Sequence, residues 1–487
     1  MGTHVATPER PNILLITTDQ QRFDALRLNN PDTPLRTQHT DALAAGGINF
    51  TRGYTTCPVC IPARRTLLTG LHPTTHGLVG YQDGQPWDPP FTIPGLVRDA
   101  GYQTQLIGKL HQWPQRKRFG FDNMILSDSP NHRPASGFHP HNDYTEWLAK
   151  LHPHAEPNNH GINGNSRNAR PFNLDENLHQ TSWLADQAID FLTRRRDPSC
   201  PWFLHLSFWA PHPPLVPPQA YWDMYRDHDV APVHGDWAAG IAEARSPAGR
   251  PSATPIGPFD EAELQRARAG YFGLIHHIDD RINAVLDRYF EYGTPQAKEP
   301  VLIIFTSDHG EMLGDHHLWR KSLPYEASAH VPFFVSGMNM DTVSGTSDAL
   351  VSLEDAAATI LDASGAEVPD ALAGVNEGTS LMPTLRGETL HTRDRLFGQI
   401  AAGPTTNHYV VEGPLKYVRF TRTGDEQLFD VLADPQDLHD LSADAERLLP
   451  MRALLDEHLK ATGQHDPAAP SPQPCENQLP KAFAGQL

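Results

Sequence analysis

The chain has 487 residues, of which 39% are hydrophobic and 20% charged, and a formal net charge of −19. This length supports a large core divided between two domains, and the composition is that of an ordinary globular enzyme. An acidic chain without a basic stripe excludes nucleic acid as the natural partner, and any anionic substrate must meet a local positive site.

Pro11 to Gln20 opens as a short apolar run, Ile13-Leu14-Leu15-Ile16, and ends in Asp19-Gln20. Such a run predicts a strand buried on both faces of a parallel sheet. Ligands gather at the C-terminal ends of such strands, where Asp19 and Gln20 offer hard oxygen donors. Cys57 to Gly70 reads as a loop entering a helix, with Pro62 in the first turn and Gly70 as the stop, so Cys60 sits at a positive helix N-terminus. Ile93 to Ala100 predicts a helix. Gly101 to Gly108 predicts a turn into a second buried strand, beyond which alternation places Lys109 and His111 on one face.

Residues 111 to 177 read as long site-forming loops with a short helix over Tyr144–Leu151. The irregular spacing of His132, His139, His141, His154 and His160 argues against a histidine metal tract. A helix is expected over Ser182–Arg196 and a strand over Trp202–Phe208, followed by a proline-fixed turn that pins His212. Residues 222 to 259 read as a surface insertion. Glu261–Tyr289 reads as a long amphipathic helix containing His276, His277, Asp279 and Asp280. Val301–Ser307 is the clearest central strand and ends in Asp308-His309, with Lys321 in a following loop. A strand over His330–Val335 and a helix over Ser352–Ala363 come next. Glycines and prolines then suggest a boundary near residue 385, short antiparallel strands over 396–432 and a helix over Leu441–Thr462. The domains expected are therefore 1–385, 386–464 and a Pro-rich tail, 465–487.

Cys60-x-Pro62-x-Arg64 with Leu68-Thr69-Gly70, Gly108-Lys109-x-His111, Pro211-His212-x-Pro214, Asp19-Gln20 and Asp308-His309 follow one another in an order that resembles the formylglycine-dependent sulfatases, from Pro11 to about Thr462. The resemblance implies an alkaline-phosphatase-like α/β/α sandwich with a mostly parallel central sheet and a small C-terminal α+β subdomain. It implies that Cys60 is oxidised to formylglycine by a formylglycine-generating enzyme, that Arg64 holds the aldehyde hydrate, and that Lys109 and Lys321 bind the sulfate. By the same resemblance His111 takes the proton when the covalent intermediate collapses, and His212 serves the leaving group. Asp19, Gln20, Asp308 and His309, beside Cys60, would hold a divalent cation. That cation would be Ca²⁺, with Mn²⁺ or Mg²⁺ as alternatives given the imidazole.

The expected reaction is hydrolysis of an aryl or carbohydrate sulfate monoester. A phosphonate monoester or phosphodiester hydrolase on the same scaffold is the first alternative. Lys109 with His111 speaks against it, because the phosphonate enzymes have uncharged side chains at that pair. A non-catalytic binding protein is the second, opposed by the intact set of Cys60, Arg64, Lys109, His111 and Lys321. The Met1–Arg10 segment has no apolar signal core and four cysteines make no disulfide framework, so a cytoplasmic protein without a membrane partner is expected, with a homo-oligomer left open.

Overall fold

The computed structural model describes residues 10–128, 142–162, 164–239, 257, 259–291, 294–368, 377–402, 406–421, 424–464 and 473–474. The expectations for His132, His139 and His141, most of the insertion beyond residue 239, and nearly all of the tail lie outside these residues.

The larger sheet is built from β1 (Asn12–Asp19), β2 (Ile48–Tyr54), β3 (Gln103–Gly108), β4 (Asn123–Leu126), β5 (Trp202–Pro211), β6 (Val301–Ser307), β7 (Phe333–Met338) and β8 (Gly345–Ser352), in the order β4-β3-β5-β1-β6-β7-β2-β8. Only β7 runs against the others. β1 lies at the centre, paired in parallel with β5 and with β6. Its side chains alternate: Leu14 and Ile16 enter one core, Ile13 and Leu15 the other. β6 repeats this, with Ile303 and Phe305 on the first side and Leu302 and Ile304 on the second. A strand apolar at every position is what burial on both faces requires.

The first core is closed by helices that include α1 (Gln38–Ala45), α4 (Asp143–Leu151), α5 (Gln180–Asp190), α6 (Gln219–Tyr225) and α7 (Glu261–Tyr289). The second is closed by α2 (Cys60–Thr69), α3 (Ile93–Asp99) and α8 (Leu353–Ser364). The result is an α/β/α sandwich in which the C-terminal ends of β1, β3, β5 and β6 open on the same edge.

C-terminal to this lies an antiparallel sheet, β9 (Arg395–Ile400), β10 (Asn407–Glu412), β11 (Leu415–Phe420) and β12 (Asp425–Asp430), with Gln473–Pro474 alongside β12 and the helix Ala445–Ala461 against it. Lys416 of β11 reaches back to Glu326 (2.8 Å) and Asp437 (3.0 Å). The Gln399 amide donates to the Thr56 carbonyl at 2.9 Å, and the Tyr409 hydroxyl to that of Thr55. The small sheet therefore buttresses the loop that delivers Cys60.

Several expectations need correcting. The helix expected over Ser182–Arg196 starts two residues earlier and is α-helical only to Asp190; Phe191–Arg195 forms a wider turn. The strand expected from His330 starts at Phe333, since Pro332 has no N–H for the ladder. β3 stops at Gly108, and neither Lys109 nor His111 continues its alternation. Gly108 has φ +115°, and a Cβ there would fall 1.8 Å from the Ser207 carbonyl oxygen. The chain turns so tightly against β5 that only glycine fits.

Candidate active site

Cys60 is the first residue of α2, delivered by the loop after β2. The helix ends where Gly70, at φ 71°, donates its N–H to the Thr66 carbonyl, as the sequence predicted. Cys60 is 1% exposed. Its sulfur lies 3.1 Å from His309 Nε2, 3.1 Å from Lys321 Nζ and 3.9 Å from Asp19 Oδ1.

Arg64, one turn into α2, ties the site together. Its Nε donates to Asp308 Oδ2 (2.9 Å), its Nη2 to Asp19 Oδ2 (3.2 Å), and its Nη1 to the Lys109 carbonyl (3.0 Å) and Ser207 Oγ (2.9 Å). One guanidinium thus joins the ends of β1, β3, β5 and β6. Lys109, fully buried, donates to Asp19 Oδ2 and rests its ammonium 4.1 Å from the centre of the Trp209 ring. Lys321 donates to Gln20 Oε1 at 2.7 Å, held there by a loop whose Ser322 N–H is bonded to the Pro58 carbonyl.

The charges respond to this crowding. Burial alone would raise Asp19, but Lys109 first, then His212, Lys321 and Arg64, hold its carboxyl well below the usual range. Burial, and next the neighbouring Asp19, push Asp308 up. Burial and Asp19 oppose ionisation of Cys60, yet Lys109, Lys321 and His309 hold its thiol well below the ordinary value. Cys57 is pushed up by burial and then by Glu354, so it is an inert thiol packed against Val59 and Ile400. Burial, and with it Lys321, would lower His309, but Asp308 and then Cys60 together raise it.

One oxygen each from Asp19 and Asp308, the Cys60 sulfur and a His309 ring nitrogen lie within 4.8 Å of one another, all buried. Ligand atoms about 2.3–2.6 Å from a shared cation lie within roughly 5 Å of each other, so this set fits a divalent ion. His309 Nδ1 donates to the Gly310 carbonyl (2.9 Å), which leaves Nε2 for the cluster. Two carboxylates crowded together in a buried place leave negative charge that a cation would offset.

Two predicted residues stand further out. His212 follows β5, and its Nδ1 donates to the Pro213 carbonyl at 2.7 Å. Burial, then Lys321, hold its imidazole well below the ordinary value, while Asp19 pulls the other way. His111 has φ 56°, sits edge-on to Tyr81 (6.2 Å between ring centres), and its buried Nδ1 has no hydrogen-bond partner among the described residues. Its place is set by Asp128, whose Oδ1 accepts the Leu110 and His111 amides at 2.7 and 2.8 Å.

Sequence reasoning missed Asp128, Ser207 and Glu311. Glu311 lies three residues beyond Asp308. Its Oε2 accepts from Gln20 Nε2 and its Oε1 from the Leu313 (2.9 Å) and Arg320 amides. Only its position after a ligand pair on a strand end could have flagged it.

Comparison with known proteins is consistent with this geometry. Residues 11–366 match the family model described as Sulfatase, and residues 314–465 match one described as N-sulphoglucosamine sulphohydrolase, C-terminal. The chain is 38% identical over 444 residues to an arylsulfatase of Clostridium perfringens, covering 89% of this chain and 90% of that one. It is 29% identical over 458 residues to a choline-sulfatase of Rhizobium meliloti, covering 90% and 83%. Among solved structures it is similar to a phosphonate monoester hydrolase of Agrobacterium radiobacter, with TM-score 0.74, 25% identity, and 94% and 96% of the two chains covered.

Proposed function

This chain belongs to the sulfatase family and is a sulfatase-type hydrolase, and on that footing we propose that Cys60, oxidised to formylglycine, is the nucleophilic residue for hydrolysis of an aryl or carbohydrate sulfate monoester. The single observation that carries this reading is the setting of Cys60, buried at a helix N-terminus against Lys321, His309 and Asp19. Hydrated formylglycine supplies a hydroxyl nucleophile and a second hydroxyl through which sulfate can be expelled, which a thiol cannot offer. A divalent cation held by Asp19, Gln20, Asp308 and His309, of the Ca²⁺ class, would supply positive charge to the nucleophile and to the ester oxygens.

The remaining work falls to the chain's own side chains. Arg64 bonds both Asp19 and Asp308 and keeps them aligned. Lys109 and Lys321 bring ammonium charge to a water-poor site, where charge developing on the transferred group is stabilised most strongly. Asp308 is the carboxylate beside the nucleophile. His212, with Nδ1 tied to a carbonyl, has Nε2 left to serve the departing oxygen. His111, whose Nδ1 has no hydrogen-bond partner among the described residues, is the base for the step that releases sulfate. The described cysteines are free and no described helix is long and apolar enough to cross a membrane; the free thiols support our inference of a cytoplasmic setting.

Co-expression with a formylglycine-generating enzyme should raise sulfatase activity in proportion to the fraction of Cys60 converted, measured by mass spectrometry of the peptide that contains it. Cys60→Ala should abolish turnover, whereas Cys57→Ala should leave it nearly intact. Turnover that survives Cys60→Ala would refute this reading. A phosphonate monoester hydrolase is the second reading, favoured by the likeness to the Agrobacterium radiobacter enzyme.

A further inference from the structure

Away from the active site, α1 meets the middle of α7. Asp279 of α7 accepts the amides of His39 (3.1 Å) and Thr40 (2.7 Å), so α1 is anchored by its first turn. This anchoring brings His39 over the next side chains of α7. His39 Nε2 lies 3.6 Å from Asp280 Oδ1, and His276 Nε2 lies 3.9 Å from the same oxygen. His276 and Asp280, four residues apart, share one face of the helix, the spacing by which a helix offers two ligands to one metal.

Ligand atoms about 2.0–2.1 Å from a tetrahedral zinc ion are roughly 3.3–3.4 Å apart. The two separations to Asp280 Oδ1 exceed that by a few tenths of an ångström, within the reach of side-chain rotation, and donor atoms of His39, Asp279 and Asp280 all lie within 4.8 Å of one another. The outer partners are in place as well. Tyr221 donates to Asp280 Oδ2 (2.8 Å), leaving Oδ1 facing the two imidazoles. The Tyr225 hydroxyl lies 3.0 Å from His276 Nδ1 and can hold that nitrogen while Nε2 faces Asp280. Gln38 Nε2 donates to His39 Nε2 at 3.1 Å, so that nitrogen carries a lone pair, which an ion would take in place of the Gln38 N–H. The hydrogen bonds on Asp280 Oδ2 and His276 Nδ1 are of the kind that orient metal ligands from outside.

We propose that His39, His276 and Asp280 form a second metal site, for a divalent ion of the zinc class, that ties α1 to α7. Two imidazoles and a carboxylate suit zinc better than calcium, which prefers an all-oxygen shell. Asp279 stays outside the ligand set, because both its oxygens are bound to α1 amides. The site shares no residue with the cluster around Cys60, so it does not depend on the reaction assigned there.

The test is zinc binding by metal-stripped protein. Zinc per chain is measured by elemental analysis after gel filtration, and Tm is followed with and without zinc. His39→Gln and Asp280→Asn should each bind one zinc fewer than the wild type, lose the zinc-dependent rise in Tm, and keep the wild-type rate of ester hydrolysis. Asp308→Ala should keep that zinc, since it alters only the active-site cluster. Should Asp280→Asn fail to fold, His39→Gln still decides, because the His39 side chain is partly exposed. Wild-type stoichiometry and Tm rise in His39→Gln would overturn the proposal, as would a wild type whose zinc is all lost in Asp308→Ala.

Discussion

Glu311 shows what individual residues do here beyond the ligands themselves. Burial pushes its carboxyl up, yet three donors, the Gln20 side chain and two backbone amides, converge on it. It fixes which way the Gln20 amide faces, with Nε2 toward Glu311 and Oε1 toward Lys321. Glu311→Ala strands those donors in a buried place and lets Gln20 rotate. Removing such an outer partner costs roughly 10–100-fold in metal affinity. The variant should therefore need more metal for half-maximal activity, measured by titrating metal into stripped enzyme, and excess metal should restore part of kcat. An unchanged metal dependence would show that Gln20 needs no such support. The sequence pointed to Asp19, Gln20, Asp308 and His309 as candidate ligands because they stand at the ends of buried strands. It hid Glu311, Asp128 and Ser207, whose roles arise from contacts between segments 17 to 291 residues apart.

At the scale of elements, the C-terminal sheet is fastened to the sandwich through a buried set of charges. Lys416 of β11 bonds both Glu326 and Asp437, and His330 Nδ1 lies 2.7 Å from Glu326. Burial would raise Glu326, but Lys416 and then His330 draw it down to about 2. Burial first, with Glu326 adding to it, pushes Asp437 up to about 7 against the pull of Lys416. Asp437 Oδ1 has no hydrogen-bond partner among the described residues, in keeping with a protonated oxygen. Between about pH 4 and about pH 7 the folded chain keeps a proton at Asp437 that the unfolded chain has released. The stability this gives is complete below about pH 4 and lost as pH rises through about 7. Wild-type unfolding free energy should therefore fall more steeply between about pH 5 and about pH 8 than that of Asp437→Asn, by on the order of 2 kcal/mol. Parallel curves from chemical denaturation would contradict this. The strands of the small sheet were legible from their alternation. β2 and β8 were not, because Asn49, Thr51 and Arg52, and the polar first half of β8, blur the apolar signal.

Across the whole molecule, a chain of net charge −19 gathers Arg64, Lys109, Lys321 and His309 at one sheet edge. The sandwich was legible because β1 and β6 are apolar on both faces, and the site because its motifs sit where parallel strands end. The turn at Gly108 was not legible, since it depends on how closely β3 approaches β5. Two lysines and a divalent cation can hold a sulfate or a phosphonate ester alike, so binding does not separate the two readings. The separation lies in the transition state, as a difference in kcat/KM. The most direct measurement is therefore kcat/KM for matched aryl sulfate, phosphate and phosphonate esters, with enzyme whose Cys60 is confirmed as formylglycine. The sulfate monoester should give the highest value, with weak activity on the phosphonate. A preference for phosphonate or phosphate diesters of tenfold or more, about 1.4 kcal/mol of barrier, would contradict the assignment.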